Sequence, residues 1–436
     1  MIAFLQITIC FLLFGIYLFL RPKNRYVGFF LIDSYLLGVF IYAIGSTYVE
    51  FFLDYSASHF VAEIARTALM TAIIGAILFL SLMRSFFPKS NFSERLNFLR
   101  AGNKERACIL LGMALCALVM LVFVVMVFRN DTVATLLSIA SITGDGTLTA
   151  ARKMITNGSE GYFAPGYIKQ FRDILPPILL SAFMLQIGLR KWTKGEKVIY
   201  FSFFILTLFA DLVSGQRSVI FILFLTISIT NFFIIRSSRF SFPKRPQQYS
   251  HVFVPIFVLI VLFGGMSILL GRMESDAEFG FSTLGYVFTN LFDRIFLAAV
   301  IENINAFSVW SSEIGRGGMY WVEEIGRVLP GNQGQGLTNE LANANGGSAE
   351  GNSPLGLPAD LWFTWGWSGI LVVPALYAMF VGIIDIGLHK LRGPLTIGAR
   401  IYLMILLPFI PSPYGFILYG GVLVLVLMSG VFLLRK

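Results

Sequence analysis

"ACILLGMALCALVMLVFVVMVF", residues 107–128, runs for 22 positions without a charge or a proline. At a rise of 1.5 Å per residue this is a helix of about 33 Å, enough to cross a hydrocarbon core of about 30 Å. Lipid offers no partners to backbone N–H and C=O groups, so a run of this kind satisfies them internally as an α-helix. Arg106 and Arg129 bracket it at the two ends.

The same pattern recurs along the chain. Apolar runs that reach or approach spanning length occupy 1–20, 27–49, 62–83, 107–128, 175–189, 198–214, 218–235, 252–270, 361–387, 401–410 and 414–434. The fold expected is all-α and polytopic, one membrane domain over residues 1–436 with about eleven transmembrane helices. The tenth run is short and ends at Ile410-Pro411-Ser412-Pro413, a tight turn or a broken helix. Composition agrees: 56% of the 436 residues are hydrophobic and 13% charged, with mean hydropathy +0.77, whereas soluble domains carry about a quarter charged residues. Cys10, Cys108 and Cys116 all fall in apolar runs, which supports neither a disulfide framework nor a cysteine metal site. The first run is not read as a cleaved signal peptide, because its basic cluster follows it.

Charge sets the expected orientation. Threading eleven helices places 22 of the 33 Lys and Arg residues on alternate connections that share one side. The positive-inside rule makes that side cytoplasmic, with the N-terminus outside and the C-terminus inside. The net charge of +9 is then mostly a topology signal. A nucleic-acid partner is not indicated, since the cations are divided among short loops and form no single basic face.

This threading leaves two long outer segments, 129–173 and 271–360, and function is expected there. The second becomes rich in Gly and Asn over 331–356, "GNQGQGLTNELANANGGSAEGNSPLG". Such composition reads either as a mobile polar lid or as a surface for a hydroxyl-rich polymer.

Several charged residues stand out against this background. In "DLVSGQRSVIF", Gly215, Gln216 and Arg217 form the whole outer connection between the sixth and seventh runs. A cation at the centre of a lone spanning helix costs about 2.5–3.5 kcal/mol, and less as it snorkels outward. Arg217 therefore either bonds lipid phosphate at the interface or aims a bidentate guanidinium at a bound diphosphate. Arg66 lies inside the third run, where Glu63 at i−3 offers a local ion pair. Arg152 and Lys153 precede "NGSEGYFAPGY", and Arg316 and Arg327 flank "GGMYWVEEIG". Two or three such cations converging could hold a departing pyrophosphate, each unit pair at 4 Å being worth about 4 kcal/mol at an effective dielectric near 20, before desolvation.

Four stretches in order resemble the Wzy-type O-antigen polymerases, the repeat-unit polymerases of bacterial surface polysaccharides. They are "TAARKMITNGSEGY" (149–162), "SGQRSVIF" (214–221), "EEIGRVLPG" (323–331) and "GLPADLWFTWGWSGILV" (356–372). They are similar to the family's basic pair followed by Gly and Tyr, its Gly-Asn/Gln-Lys/Arg turn, its Ile-x-Arg stretch ending near Pro, and its Gly-x-Glu-Leu-Tyr stretch before a glycine-marked helix. Each motif is loose, and their shared order carries the match.

The resemblance implies a membrane glycosyltransferase of GT-C-like architecture in the bacterial inner membrane, with its active site facing the periplasm. It would transfer a growing glycan from undecaprenyl diphosphate to a lipid-linked repeat unit, with no cofactor, and a Wzz-type chain-length regulator as partner. Residue by residue, Arg152 and Lys153 match the basic pair, Arg217 the turn cation, Arg327 the loop arginine and Asp360 the family's glutamate. Asp360 departs in type and is one methylene shorter.

The chemistry needs a base for the attacking hydroxyl and cations for the leaving diphosphate. Asp360 is the first candidate base, with Glu340 and Glu323 as alternates, and Arg327, Arg217, Arg152, Lys153, Arg316 and Arg66 are the candidate cations. The plain structural roles are an N-cap or helix-dipole anion for Asp360 and solvation of the lid for Glu340. No carboxylate or histidine cluster has metal-ligand spacing. Three other functions fit an outer-face membrane protein. An O-antigen ligase resembles enzymes with a histidine in the large outer loop, but 271–360 has none and only His59 lies outside. A lipid-linked oligosaccharide flippase would use buried charges as a path. A passive scaffold would carry costly buried arginines without use.

Overall fold

The structure is a computed structural model that describes residues 2–20, 31–53, 55, 57–86, 103–130, 170–188, 192–214, 217–237, 297–310, 357–391, 393–409, 412–418 and 420–435. All regular structure among them is helical. The helices are α1 (Ile2–Leu20), α2 (Leu31–Phe52), α3 (Ser58–Phe86), α4 (Asn103–Asn130), α5 (Leu175–Ile187), α6 (Lys194–Ser214), α7 (Arg217–Ser237), α8 (Ala298–Trp310), α9 (Leu357–Leu391), α10 (Pro394–Phe409), α11 (Pro413–Leu418) and α12 (Gly421–Arg435). A π-helical turn, Gln170–Ile174, leads into α5.

Six of the described helices are long and apolar enough to cross a membrane, namely α1, α2, α3, α4, α6 and α9. Shorter apolar segments occupy Val219–Ile234 and Pro394–Phe409. Phe4, Leu5, Phe11, Phe19, Leu111 and Val125 are among many large apolar side chains more than half exposed. A water-facing surface does not present apolar groups on that scale, and lipid does. The run at 252–270 lies outside the described residues.

The helices differ from the apolar runs in three places. The tenth run is extended backwards, because α10 starts at Pro394, where proline's fixed φ suits a first helical position. The eleventh run is two helices, divided at Gly420 with φ 100°. Helix α9 is broken at Gly366, with φ 61° and ψ −144°. Residues with a β-carbon rarely adopt that backbone conformation.

The chain forms two compact units. Unit 1 comprises Met1–Arg95, Phe292–Gly387 and Leu406–Val422. Helix α3 turns a small-residue stripe inward, with Ala62, Ala65, Ala68, Ala72 and Ala76 all buried, and this lets backbones approach closely where apolar burial alone gives no drive between helices in lipid. A β-carbon on Gly75 would fall inside contact distance of the Ala375 backbone, and one on Gly382 would lie 2.6 Å from the Phe79 ring. Pro374, inside α9, lacks the N–H that would bond the carbonyl of Ile370. The Thr71 hydroxyl donates to that carbonyl at 3.1 Å instead, and Tyr35 Oη donates to Pro374 O at 3.2 Å.

Unit 2 comprises Leu96–Leu291, Leu388–Ile405 and Leu423–Lys436. Helix α4 buries Ile109, Met113, Cys116, Met120, Phe123 and Val127, a 4-3 alternation that makes one seam against α5 and α6. Thr193 and Glu196 form a capping box at the start of α6, with Glu196 N donating to Thr193 Oγ1 at 3.2 Å and Thr193 N donating to Glu196 Oε2 at 3.0 Å. Glu105 accepts from Leu395 N at 3.2 Å, an anion at the positive end of α10.

Overpacking the α3–α9 crossing is expected to cost about 1–3 kcal/mol. Gly75→Leu should lower the unfolding temperature in detergent, while Gly15→Leu, whose β-carbon meets nothing within 4 Å, should leave it unchanged.

Candidate functional site

Unit 1 gathers polar and aromatic side chains at the end where α2 stops and α3 begins. Arg66 is buried there. Its Nε donates to Gln6 Oε1 at 2.8 Å, its Nη1 to Thr47 Oγ1 at 3.3 Å and to Glu50 Oε2, and its Nη2 to Glu50 Oε1 at 3.4 Å. The expected local pair with Glu63 is not what forms. The carboxylate partner is Glu50 on the facing helix, itself buried and so an anion whose attraction is little screened. His59 Nδ1 lies 3.1 Å from Glu50 Oε1, with its side chain exposed. Thus α1, α2 and α3 are tied by one guanidinium whose donors are largely committed to the protein.

On the other side of α3, Phe60 meets Trp362 edge to face, with ring centroids 4.8 Å apart. Trp362 meets Trp367 at 5.3 Å and 90°, and Phe307 of α8 lies 5.4 Å from Phe60. The break at Gly366 separates Trp365 from Trp367, both of which remain 40% and 39% exposed. Asp360 lies within the first turn of α9, which begins three residues earlier, so it is not the N-cap. It remains a favourable anion at the positive end of a helix. It is buried at 9%, and its charge acts on Tyr42, whose buried hydroxyl has no hydrogen-bond partner.

Unit 2 holds a second group of charges that pattern reading of the sequence passed over. Pro176 and Pro177 lack the N–H groups that α-helical bonding to the carbonyls of 172 and 173 would need, and the chain there takes a wider π-helical turn. That turn carries Arg172 and Asp173 inward, both buried. Arg172 donates from Nε to Asp173 Oδ1 and from Nη2 to Asp173 Oδ2 at 2.9 Å, and its guanidinium sits 4.6 Å from the centroid of the Phe123 ring. Asp211 of α6 is close enough to interact electrostatically with both. It is fully buried, and neither carboxylate oxygen has a hydrogen-bond partner. Two signals were available in the sequence: an Arg-Asp pair directly before a Pro-Pro step, and an aspartate inside a spanning run.

The remaining candidates are reached less fully. Arg217 is the first residue of α7, and its side chain lies outside the described residues. Arg152, Lys153, Arg316, Glu323, Arg327 and Glu340 lie outside them altogether, as do most of 129–173 and 271–360. Of the nine candidates, then, Arg66 and Asp360 are the two whose side chains are described. Both belong to unit 1.

No family model matches the chain, and no curated protein or solved structure matches it.

Breaking a buried ion pair from one side costs about 3–5 kcal/mol, while replacing both partners by apolar groups can be neutral. Arg66→Leu alone should strongly reduce the yield of folded chain and its unfolding temperature. The double variant Arg66→Leu with Glu50→Leu should recover a large part of both, read by thermal unfolding in detergent.

Proposed function

We propose that this chain is a membrane glycosyltransferase that polymerises undecaprenyl-diphosphate-linked repeat units of a bacterial surface polysaccharide. In this proposal about eleven helices cross the inner membrane in a GT-C-like arrangement, with the N-terminus and both long loops in the periplasm. A growing glycan moves from its diphosphate carrier to the newly supplied repeat unit. A Wzz-type regulator sets chain length.

The observation that carries the proposal is the position of Arg217. An arginine at the first position of α7 stands at the positive end of the helix dipole, where a cation is disfavoured by about 0.3–1 kcal/mol. An anion at that end reverses the sign, since free N–H groups and the guanidinium then act on it together. A diphosphate is the anion that the four ordered motifs imply. Arg152, Lys153, Arg316 and Arg327 are assigned to the same task, and Asp360 to the hydroxyl of the acceptor, with Glu340 and Glu323 as alternates. Arg66 is better suited to support than to substrate, because its donors are engaged by Glu50, Gln6 and Thr47.

A lipid-linked oligosaccharide flippase is the second reading, favoured by the helix breaks at Gly366 and Gly420 in unit 1. Broken helices at membrane depth recur in carriers. An O-antigen ligase remains a third and weaker one, on the ground of the missing loop histidine.

Purified protein in nanodiscs, given a synthetic undecaprenyl-diphosphate repeat unit, should convert it into a ladder of longer glycans. Arg217→Ala and Asp360→Asn should each reduce the ladder by about 100-fold or more, the loss expected for a general base or an electrostatic clamp. Movement of the unit across the bilayer without a ladder would favour the flippase. Orientation has its own check: a cysteine at Ser218 should react with an impermeant reagent from outside, and one at Ser241 should not.

A further inference from the structure

Asp211 is the most exceptional polar group among the described residues. It is 0% exposed, with both oxygens free of hydrogen-bond partners. The cation beside it does not serve it, because Arg172 gives Nε and Nη2 to Asp173 and lays its face over Phe123. Its own helix offers the side chain nothing either: Ser214 Oγ donates to the backbone carbonyl of Asp211, at 2.8 Å. A buried acceptor left unpaired costs about 1–3 kcal/mol, and more when charged. Within a spanning segment such a group is by default functional. Replacement by asparagine or leucine would remove the cost, so the carboxylate is retained for something other than the fold.

We propose that Asp211 is the general base of the transfer, an assignment that rests on the glycosyltransferase reading above and replaces Asp360 in that role. The acceptor sugar hydroxyl donates a hydrogen bond to an Asp211 oxygen. As the hydroxyl oxygen forms its bond to the anomeric carbon of the donor, its proton passes to the carboxylate. The bond from that carbon to the diphosphate breaks, and undecaprenyl diphosphate leaves with the electron pair.

Two features of the chain suit this role. Asp211 stands in the last turn of α6, and Arg217 opens α7 across a two-residue connection, so base and leaving-group cation belong to one hairpin. Exclusion of water from the carboxylate disfavours hydrolysis, which a transferase working at low acceptor concentration must suppress. Asp173 acts as a positioning residue: by occupying Arg172 it leaves the Asp211 oxygens open to a hydroxyl donor.

Ladder formation, binding of the lipid-linked repeat unit and unfolding temperature, measured on the full chain in nanodiscs, test the assignment. Asp211→Asn should slow ladder growth by about 100-fold to 10,000-fold, keep repeat-unit binding within about tenfold, and unfold at or above the wild-type temperature. Asp173→Asn, which strips Arg172 of its partner, should unfold at a lower temperature. A structural carboxylate would behave in the opposite way, so an Asp211→Asn variant that loses stability and binding together overturns the proposal. Wild-type laddering beside equal laddering by Asp211→Asn overturns this assignment alone. A wild-type chain that binds the repeat unit and makes no ladder overturns the glycosyltransferase reading and the assignment with it.

Discussion

The crossing of α3 and α9 is the contact on which unit 1 depends, because two backbones meet there with almost nothing between them. Gly75 lies against the backbone of Ala375, and the alanine stripe of α3 continues the approach along the helix. In lipid the association of helices gains little from removing apolar surface, so close contact and hydrogen bonding carry it. Pro374 would leave the carbonyl of Ile370 without a donor in hydrocarbon, and Thr71 supplies one from the partner helix. The proline thereby demands a partner at one place, which fixes the register of the crossing. With that register set, Phe60 meets Trp362 and Trp367 further along, and Arg66 faces α1 and α2 from the other side.

Buried charge is handled in three ways. Arg66 is surrounded by donors' partners from two other helices, and its removal would orphan Glu50. Arg172 finds its carboxylate one residue away, because the π-helical turn brings neighbouring side chains inward together. Asp211 finds no hydrogen-bond donor. The first two arrangements hold helices in place at a modest net gain, since desolvation offsets most of the attraction. The third contributes nothing to the fold and is distinguished from them on that ground.

Much of the fold was legible in the sequence because the requirement for internal backbone bonding in lipid turns each apolar run into a helix, whatever its neighbours do. The runs at 107–128 and 198–214 are α4 and α6 with a few polar residues added at each end. Breaks were less legible. Gly366 and Gly420 are two of 41 glycines, and a glycine's φ is decided by the chain around it. The partner of Arg66 was misjudged for a related reason: the helical i−3 neighbour is visible in one dimension, while Glu50 becomes a neighbour when α2 packs on α3. Arg172, Asp173 and Asp211 were missed because hydropathy averages a lone charge into its run. Scanning for ionisable residues inside spanning segments recovers Asp211 directly, and with it the question of what its oxygens bind.

Asp360 and Asp211 differ as bases in what already engages them. Asp360 sits in the first turn of a helix, where the dipole stabilises its charge, and it takes part in interactions with its surroundings. Each such interaction occupies a lone pair or lowers the energy of the ionised form, and both reduce the drive to take a proton from a sugar hydroxyl. Asp211 has neither restraint: it lies at the other end of its helix, where the dipole opposes a negative charge, and its lone pairs are unoccupied. The family-like position and the chemically better placed carboxylate are therefore different residues. Of the two, the one that the fold carries at a cost is the stronger candidate for the proton.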